Sequence, residues 1–364
     1  MTKENRKKHL SAGACIGFAV FLLIFTLYLV SCFSTKFADF INSTVSSWYR
    51  LAMAKFGELF PFSLFEILMI LMPVFVMLVI WLAVRRFKSG EGRLRLCLNF
   101  LSVILVIYSG HLLALGIGYN TTPISEKLDI TYVEVTEDNL AETLIYLREE
   151  VNELSADIER AEDGTASSGY SLEDMSKIIC SSFDKFSKKH GFPESFESRA
   201  KEIKFSNAMS YLSLSGIYTF YTGEANVNML FPDYDIAFAA AHELSHQRGI
   251  MRENEANFMA YLVLSESEDS FMRYSAALSM YGYVASALYK TNPERYSEIA
   301  EGLCEGARAD IMASDEISLK YGDTFLSDIS KFVNDLFLKS NGTEGIVSYG
   351  MVTKLIVAYL SPKI

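Results

Sequence analysis

The sequence predicts a mainly α-helical protein. Three membrane-spanning helices come first, then an α-rich (α+β) domain outside the cytoplasm. Three observations carry this. Half of the 364 residues are hydrophobic and the mean hydropathy is +0.19, too apolar for an ordinary soluble chain. The excess lies in the first third, in three long runs without Asp, Glu, Lys or Arg. Beyond Tyr119 the chain turns acidic and reads as successive amphipathic helices, with one short stretch of strand-like alternation.

Leu10 to Phe33 is long enough to cross a bilayer. It is too long for the apolar core of a cleaved signal peptide, and two further runs follow, so it is expected to be a retained anchor. Ile67 to Val84 is the second span, with Pro73 inside it, a kink that spanning helices tolerate. Leu96 to Gly118 is the third. A lone amphipathic core helix would not stay apolar on every side for so long. The membrane region is therefore 1–118, with spans at about 10–33, 67–84 and 96–118, and the remaining domain is 119–364. Between the first two spans, Phe37, Phe40, Ile41, Val45 and Trp48 suggest an amphipathic piece at the membrane surface. Ser63-Leu64-Phe65-Glu66 reads as a capping box opening the second span. Intramembrane ionisable groups are functional candidates by default, but Glu66 and His111 of the third span can satisfy each other across two helices.

Orientation follows from Lys and Arg. Lys3, Arg6, Lys7 and Lys8 precede the first span. Arg85, Arg86, Lys88, Arg93 and Arg95 lie between the second and third, against only Lys36, Arg50 and Lys55 between the first two. The N-terminus and the second loop are thus expected in the cytoplasm and residues 119–364 outside it. From Tyr119 onward there are 21 Lys and Arg against 39 Asp and Glu. So acidic a domain is not expected to bind nucleic acid or to lie flat on an anionic lipid face. Cys180 and Cys304 fall in that domain, where a disulfide is permitted; two free thiols fit equally well.

Along the domain, Asn120 to Asp138 reads as a connector with some strand-like pattern, notably Ile130 to Val135. Leu140–Ala161 and Leu172–Lys189 read as helices, the second ending before Gly191-Phe192-Pro193. Gly216 to Tyr221 alternates aromatic and β-branched residues and predicts a strand. Phe271–Lys290, Pro293–Ser314, Thr324–Leu338 and Ile346–Leu360 read as helices.

The chemistry is concentrated at Ala241-His242-Glu243-Leu244-Ser245-His246, an HExxH motif. Residues four apart share a helix face, so His242 and His246 can point two imidazoles at one metal ion, with Glu243 placed to reach a water on it. Only five histidines exist in the chain, and two stand at ligand spacing. Pro232-Asp233 offers a helix start and Gly249 a stop. A catalytic zinc takes three protein ligands and leaves one position open. Glu253 is the expected third ligand. Asn257, four residues on, shares its face and is suited to hydrogen-bond a ligand histidine. Glu255 is the alternative, although at ~100° per residue it points about 160° away. The expected reaction is peptide hydrolysis by a metal-activated water, with Glu243 as general base. Tyr218, Tyr261, Tyr281 and Arg273 are unranked candidates for steadying the oxyanion.

The HExxH followed by Glu253-x-x-x-Asn257 resembles the gluzincin metallopeptidases, with Asn where they carry Asp. The segment Glu253 to Phe258 is similar to the ExEAN stretch of the ImmA/IrrE-type metallopeptidases. Two features depart from these patterns. Only six residues separate His246 from Glu253, short for a gluzincin. The HxxG turn looks like the metzincin one, yet Arg252 stands where those enzymes place a third His. A resemblance over nearly the whole chain is to a family of multi-pass bacterial membrane proteins catalogued as domain of unknown function 3810. It is carried by Phe60 to Glu66, Gly118-Tyr119-Asn120, Tyr221 to Asn228, the HELSHQRG run and Glu253 to Leu262. The resemblance implies a zincin-like domain with one Zn2+ and names no substrate. The alternative expectation is a catalytically inactive metal-binding sensor or partner-binding protein. An intramembrane protease is disfavoured, because Asp233, Asp235, Arg248 and Arg252 around the motif call for water.

Overall fold

The computed structural model describes residues 11–89, 93–192, 195–322, 324–341 and 350–364. The chain opens with helices α1 (Ala12–Ser31), α2 (Thr35–Ser43), α3 (Val45–Glu58), α4 (Leu64–Ser89) and α5 (Arg93–Ala114). The stretches Ala12–Ser31, Leu64–Arg85 and Arg93–Asn120 are long and apolar enough to cross a membrane. The chain is a membrane protein with three such segments among the described residues. Leu10 and the Lys3–Lys8 charge cluster lie outside the described residues. Helix α1 starts at Ser11, whose hydroxyl accepts from the Ala14 N–H at 3.1 Å. It packs on α5 through small groups. Ser102 donates to the Ala14 carbonyl, and a side chain at Gly17 would collide with Ser102. Close approach over small residues is how helices associate in lipid, where apolar burial provides no drive.

The segment between the first two spans does more than line a membrane surface. Phe40 and Trp48 are exposed, as an interfacial piece requires, but Arg50 is fully buried. Its guanidinium donates to the Asn42 side chain and carbonyl and to the Ala114 carbonyl at 2.8–3.2 Å. Burial draws its pKa down to about 10, so it stays charged at neutral pH. Asn42 in turn donates to the carbonyl of Gly249 at 3.1 Å. Gly249 has φ +95°, and a Cβ there would meet the Arg50 guanidinium. Gly249→Ala therefore combines left-handed strain with displacement of a buried cation that has no room to move. We expect it to cost about 3 kcal/mol or more, read as a lowered thermal midpoint of the detergent-solubilised protein.

The start of α4 is held by the distant domain. Ser63 accepts from the Glu66 N–H, as expected of the capping box. The Glu66 carboxylate, however, accepts from the Phe205 N–H at 2.7 Å. The free N–H groups of Leu64 and Phe65 instead donate to Glu224, at 2.9 Å each. Glu224 is buried against Lys201, which also donates to the Gly57 and Phe62 carbonyls. The supposed Glu66–His111 partnership is absent, since His111 packs against Tyr108, Phe220 and Phe337. The α2–α4 junction is thus built into the domain that begins at Tyr119.

That domain contains α6 (Ile124–Lys127), α7 (Glu137–Ser155), α8 (Leu172–His190), β1 (Ala200–Ile203), α9 (Ser206–Tyr211), β2 (Gly216–Thr219) and β3 (Glu224–Asn228). Then follow α10 (Asp233–Gln247), α11 (Glu253–Ser265), α12 (Ser270–Thr291), α13 (Pro293–Ala300), α14 (Glu305–Gly322), α15 (Phe325–Ser340) and α16 (Met351–Leu360). The sheet order is β1-β3-β2, with β1 parallel and β2 antiparallel to β3. The expected strand at Gly216 is therefore β2, an edge strand.

Ile130 to Val135 is a connector, as expected, with Ile130, Val133 and Val135 packed onto the core. Helix α7 stops at Ser155, six residues short of the expected end, because Asp157 to Gly169 forms a loop bridged at Arg160 and Ala166. Pro293–Ser314 divides into α13 and α14 around Gly302. Pro193 and residues 346–349 lie outside the described residues. Cys180 and Cys304 are free thiols. Cys180 is held by the Ser198 carbonyl and Arg248.

Candidate metal centre

Helix α10 carries the motif because it is small on almost every side. Ala237, Ala239, Ala240 and Ala241 are buried in sequence, which lets the sheet approach one face while α11 and α12 approach the other. The chain then reverses over Arg248–Arg252. This turn resolves the short spacing. Gly249 in its left-handed conformation brings α11 straight back, so Glu253, its first residue, faces the last turn of α10. Arg252 fixes the turn by donating to the Tyr119 and Thr121 carbonyls at the end of the third span, at 2.7–2.8 Å.

The three expected ligands converge. His242 Nε2 lies 3.0 Å from His246 Nε2, and Glu253 oxygens lie 3.3 Å and 3.6 Å from these nitrogens. All their ligand atoms fall within 4.8 Å of one another. Both Nδ1 atoms are engaged elsewhere. His242 Nδ1 meets Asn257 Oδ1 at 2.9 Å, and His246 Nδ1 meets the Ile250 carbonyl at 2.8 Å. Both partners are acceptors, so each Nδ1 carries the proton and each Nε2 presents a lone pair to the same point, the arrangement that metal-binding histidines use. The donor set of two neutral imidazoles and a carboxylate fits zinc. Asn257→Ala would free the His242 ring and tautomer. We expect metal affinity to fall about 10- to 100-fold, measurable by competition with a chromogenic chelator.

Glu255 is not part of the cluster. Its carboxylate accepts from Ile124 N–H at 3.1 Å and from Arg252 at 3.0 Å, which commits it to anchoring the turn.

Glu243 points from α10 toward the edge strand. It is buried, and its Oε2 has no hydrogen-bond partner. Burial pushes its pKa up to about 8, with the Glu253 charge adding to the rise and His242 and the Tyr218 N–H opposing it. A Cβ at position 216 would lie 2.5 Å from Glu243 Oε1, so only glycine leaves this carboxylate its place. Sequence reasoning missed Gly216. The signal was a glycine opening a strand, which marks close approach by another group.

The cluster lies in a cleft of about 1460 Å³ that also takes in His111 of α5 and Leu115 just beyond it and runs past α12 to α14 and α15. Among its described lining residues are Asp235, Glu243, Glu253 and Asp315 and no Lys or Arg, a wall that favours cations. Of the oxyanion candidates, Tyr218 and Tyr281 are among the residues lining the cleft, but their hydroxyls are buried and without a hydrogen-bond partner. Arg273 is turned to the Ser267 carbonyl, and Tyr261 lies on the side of α11 near Glu150 and Tyr359. Tyr283, which the sequence did not single out, lines the cleft within the field of Glu253. Burial first and then that negative charge raise its pKa.

Asp235 sits on the His242 face of α10, two turns earlier. Burial first, with the Asp310 and Asp315 charges assisting, pushes its pKa up to about 6, against the opposing hydrogen bonds from Ser314 and Tyr234. An acid whose folded pKa exceeds its unfolded value of 3.8 favours the fold when protonated. That contribution is present below about pH 4 and lost as pH rises through about 6. Asp235→Asn is expected to stabilise the protein by up to ~3 kcal/mol at pH 7 and by nothing near pH 4, in paired thermal melts.

Fold and site together define a mainly helical membrane protein with a partly buried His–His–Glu cluster lining a cleft. The chain belongs to the family described as protein of unknown function DUF3810, which matches residues 37–357. The match begins within α2, in keeping with the α2–α4 junction being part of the domain. No curated protein and no solved structure matches the chain.

Proposed function

We propose that this protein is a membrane-anchored, zinc-dependent metallopeptidase whose site lies outside the cytoplasm. The observation that carries the reading is the convergence of His242 Nε2, His246 Nε2 and Glu253 with both Nδ1 atoms held by acceptors. These three residues would hold the ion. When bound, zinc supplies a Lewis acid that acidifies water and polarises a carbonyl. Glu243 is placed to take the proton from the attacking water and pass it to the leaving amine. Its dry surroundings and the Gly216 notch keep its carboxylate in one position. Tyr283, which lines the cleft within the field of Glu253, is the tyrosine best placed for the developing oxyanion. The free edge of β2 runs beside Glu243, and an extended peptide can add to such an edge through main-chain hydrogen bonds.

The test is elemental analysis of the purified full-length protein with hydrolysis of a quenched-fluorescence peptide library. The full chain is required, because a fragment starting at Tyr119 would lose the Arg50 and α3–α4 contacts. About one zinc per chain with peptide cleavage supports the reading. A folded protein that takes up zinc and cuts nothing would leave a metal-binding sensor instead, and one that takes up no metal would end both.

A further inference from the structure

Helix α15 carries Phe325, Leu326, Ile329, Phe332, Val333 and Leu336, each between 42% and 78% exposed. At ~100° per residue these six fall within an arc of about 120°, while Asp328, Lys331 and Asp335 lie on the other side. Six large apolar side chains in water along one helix form a patch that soluble surfaces avoid. The patch is continuous with the surface of the third span. The Phe337 ring packs edge-on against His111 at 5.9 Å and Tyr119 at 6.5 Å, and His111 stacks on Tyr108 at 5.6 Å. Tyr108 belongs to the run of exposed apolar residues Val103, Ile104, Val106 and Ile107 that faces lipid along α5. Phe220, just past the edge strand, packs on the same histidine at 5.4 Å.

The same helix forms a wall of the metal cleft. Ile329, Val333 and Phe337 line it, with His111 and Leu115 of the span at one end and His242, His246 and Glu253 at another. One cavity therefore runs from the last turns of a membrane-spanning helix to the candidate metal ligands.

We propose that α15 lies in the interface of the leaflet facing the domain, apolar side in the lipid, so that the cleft opens at the bilayer surface and takes polypeptides tethered to the membrane. The occupant of the patch is the bilayer itself, because the patch continues a surface already matched to lipid. An amphipathic helix with one apolar and one charged face is suited to that position. The substrate class rests on the peptidase reading. A chain anchored beside the enzyme is delivered at high local concentration, and its extended segment enters past His111 and Phe220 toward the β2 edge.

The placement is tested on the full-length protein in phosphatidylethanolamine–phosphatidylglycerol vesicles. Trp48→Phe and Trp81→Phe remove the two native tryptophans, and Phe332→Trp or, as control, Tyr170→Trp adds one. Phe332→Trp is expected to emit in the blue and to be quenched by lipids brominated near the headgroup. Tyr170→Trp, at a site where the native hydroxyl donates to Asp269 at the start of α12, is expected to be unquenched. Quenching no greater than in the control overturns the placement. A blue-shifted but unquenched Trp overturns it too, since a second protein copy would then cover the patch. The substrate class is tested in the same vesicles with one peptide series, free and palmitoylated. A tethered peptide cut about 10-fold faster or more supports it, and equal rates overturn it. Cleavage of neither, with quenching intact, removes the hydrolase reading and the substrate class while leaving α15 in lipid. Phe332→Asp should lower quenching at a Leu336→Trp reporter and slow cleavage of the tethered peptide only, with zinc content unchanged.

Discussion

Glu243→Gln is expected to abolish peptide hydrolysis while leaving about one zinc per chain. The loss should reach about 100- to 10 000-fold in kcat, the range general-base catalysis supplies. The amide has the same shape as the carboxylate, so it fits the space that Gly216 leaves open, but it cannot take a proton from the attacking water. Its nitrogen and oxygen are also not among the ligand atoms, which belong to His242, His246 and Glu253. Elemental analysis beside a progress curve separates the two roles. Retained metal with full activity would remove Glu243 from the mechanism, whereas lost metal would make it a ligand.

The second large effect distinguishes two carboxylates two residues apart. Glu253→Ala is expected to reduce zinc affinity by more than about 100-fold, beyond what loss of a supporting partner causes. It removes the only carboxylate within reach of both His Nε2 atoms among the described residues. Glu255→Ala should keep the metal and instead lower the thermal midpoint. It strips the Ile124 N–H and the Arg252 guanidinium of a buried acceptor, a cost of about 1.5–3 kcal/mol for hydrogen bonds to a charged group. Equal zinc loss in both variants would mean that the α10–α11 turn, and not ligand identity, governs the site.

Much of this was legible beforehand for a definite reason. Lipid imposes a requirement of length and polarity that a run of side chains either meets or fails, so the three candidate spans could be read directly. The HExxH spacing is likewise local, since a helix places residues four apart on one face wherever it sits. The HELSH helix, its stop near Gly249 and the edge strand at Gly216 all rest on near-neighbour rules. The alternation at Ile130 to Val135 belongs to a connector, because packing onto a core buries one side without a pairing strand.

By itself, then, the sequence determined the apolar segments, the helical character, the pair of histidines and the acid between them, because each depends on residues a few positions apart. Tertiary structure decided the rest. Glu253 joins the cluster, and Glu255 does not, because Gly249 turns the chain against Arg50, nearly 200 positions earlier in the sequence. Glu224 caps the second span in place of Glu66 because β3 brings a buried carboxylate to two free N–H groups. His111 faces Phe220 and Phe337 because α15 lies against the third span. Each of these contacts joins residues far apart in the chain, and which of several chemically equal groups arrives there is set by packing that no local pattern encodes.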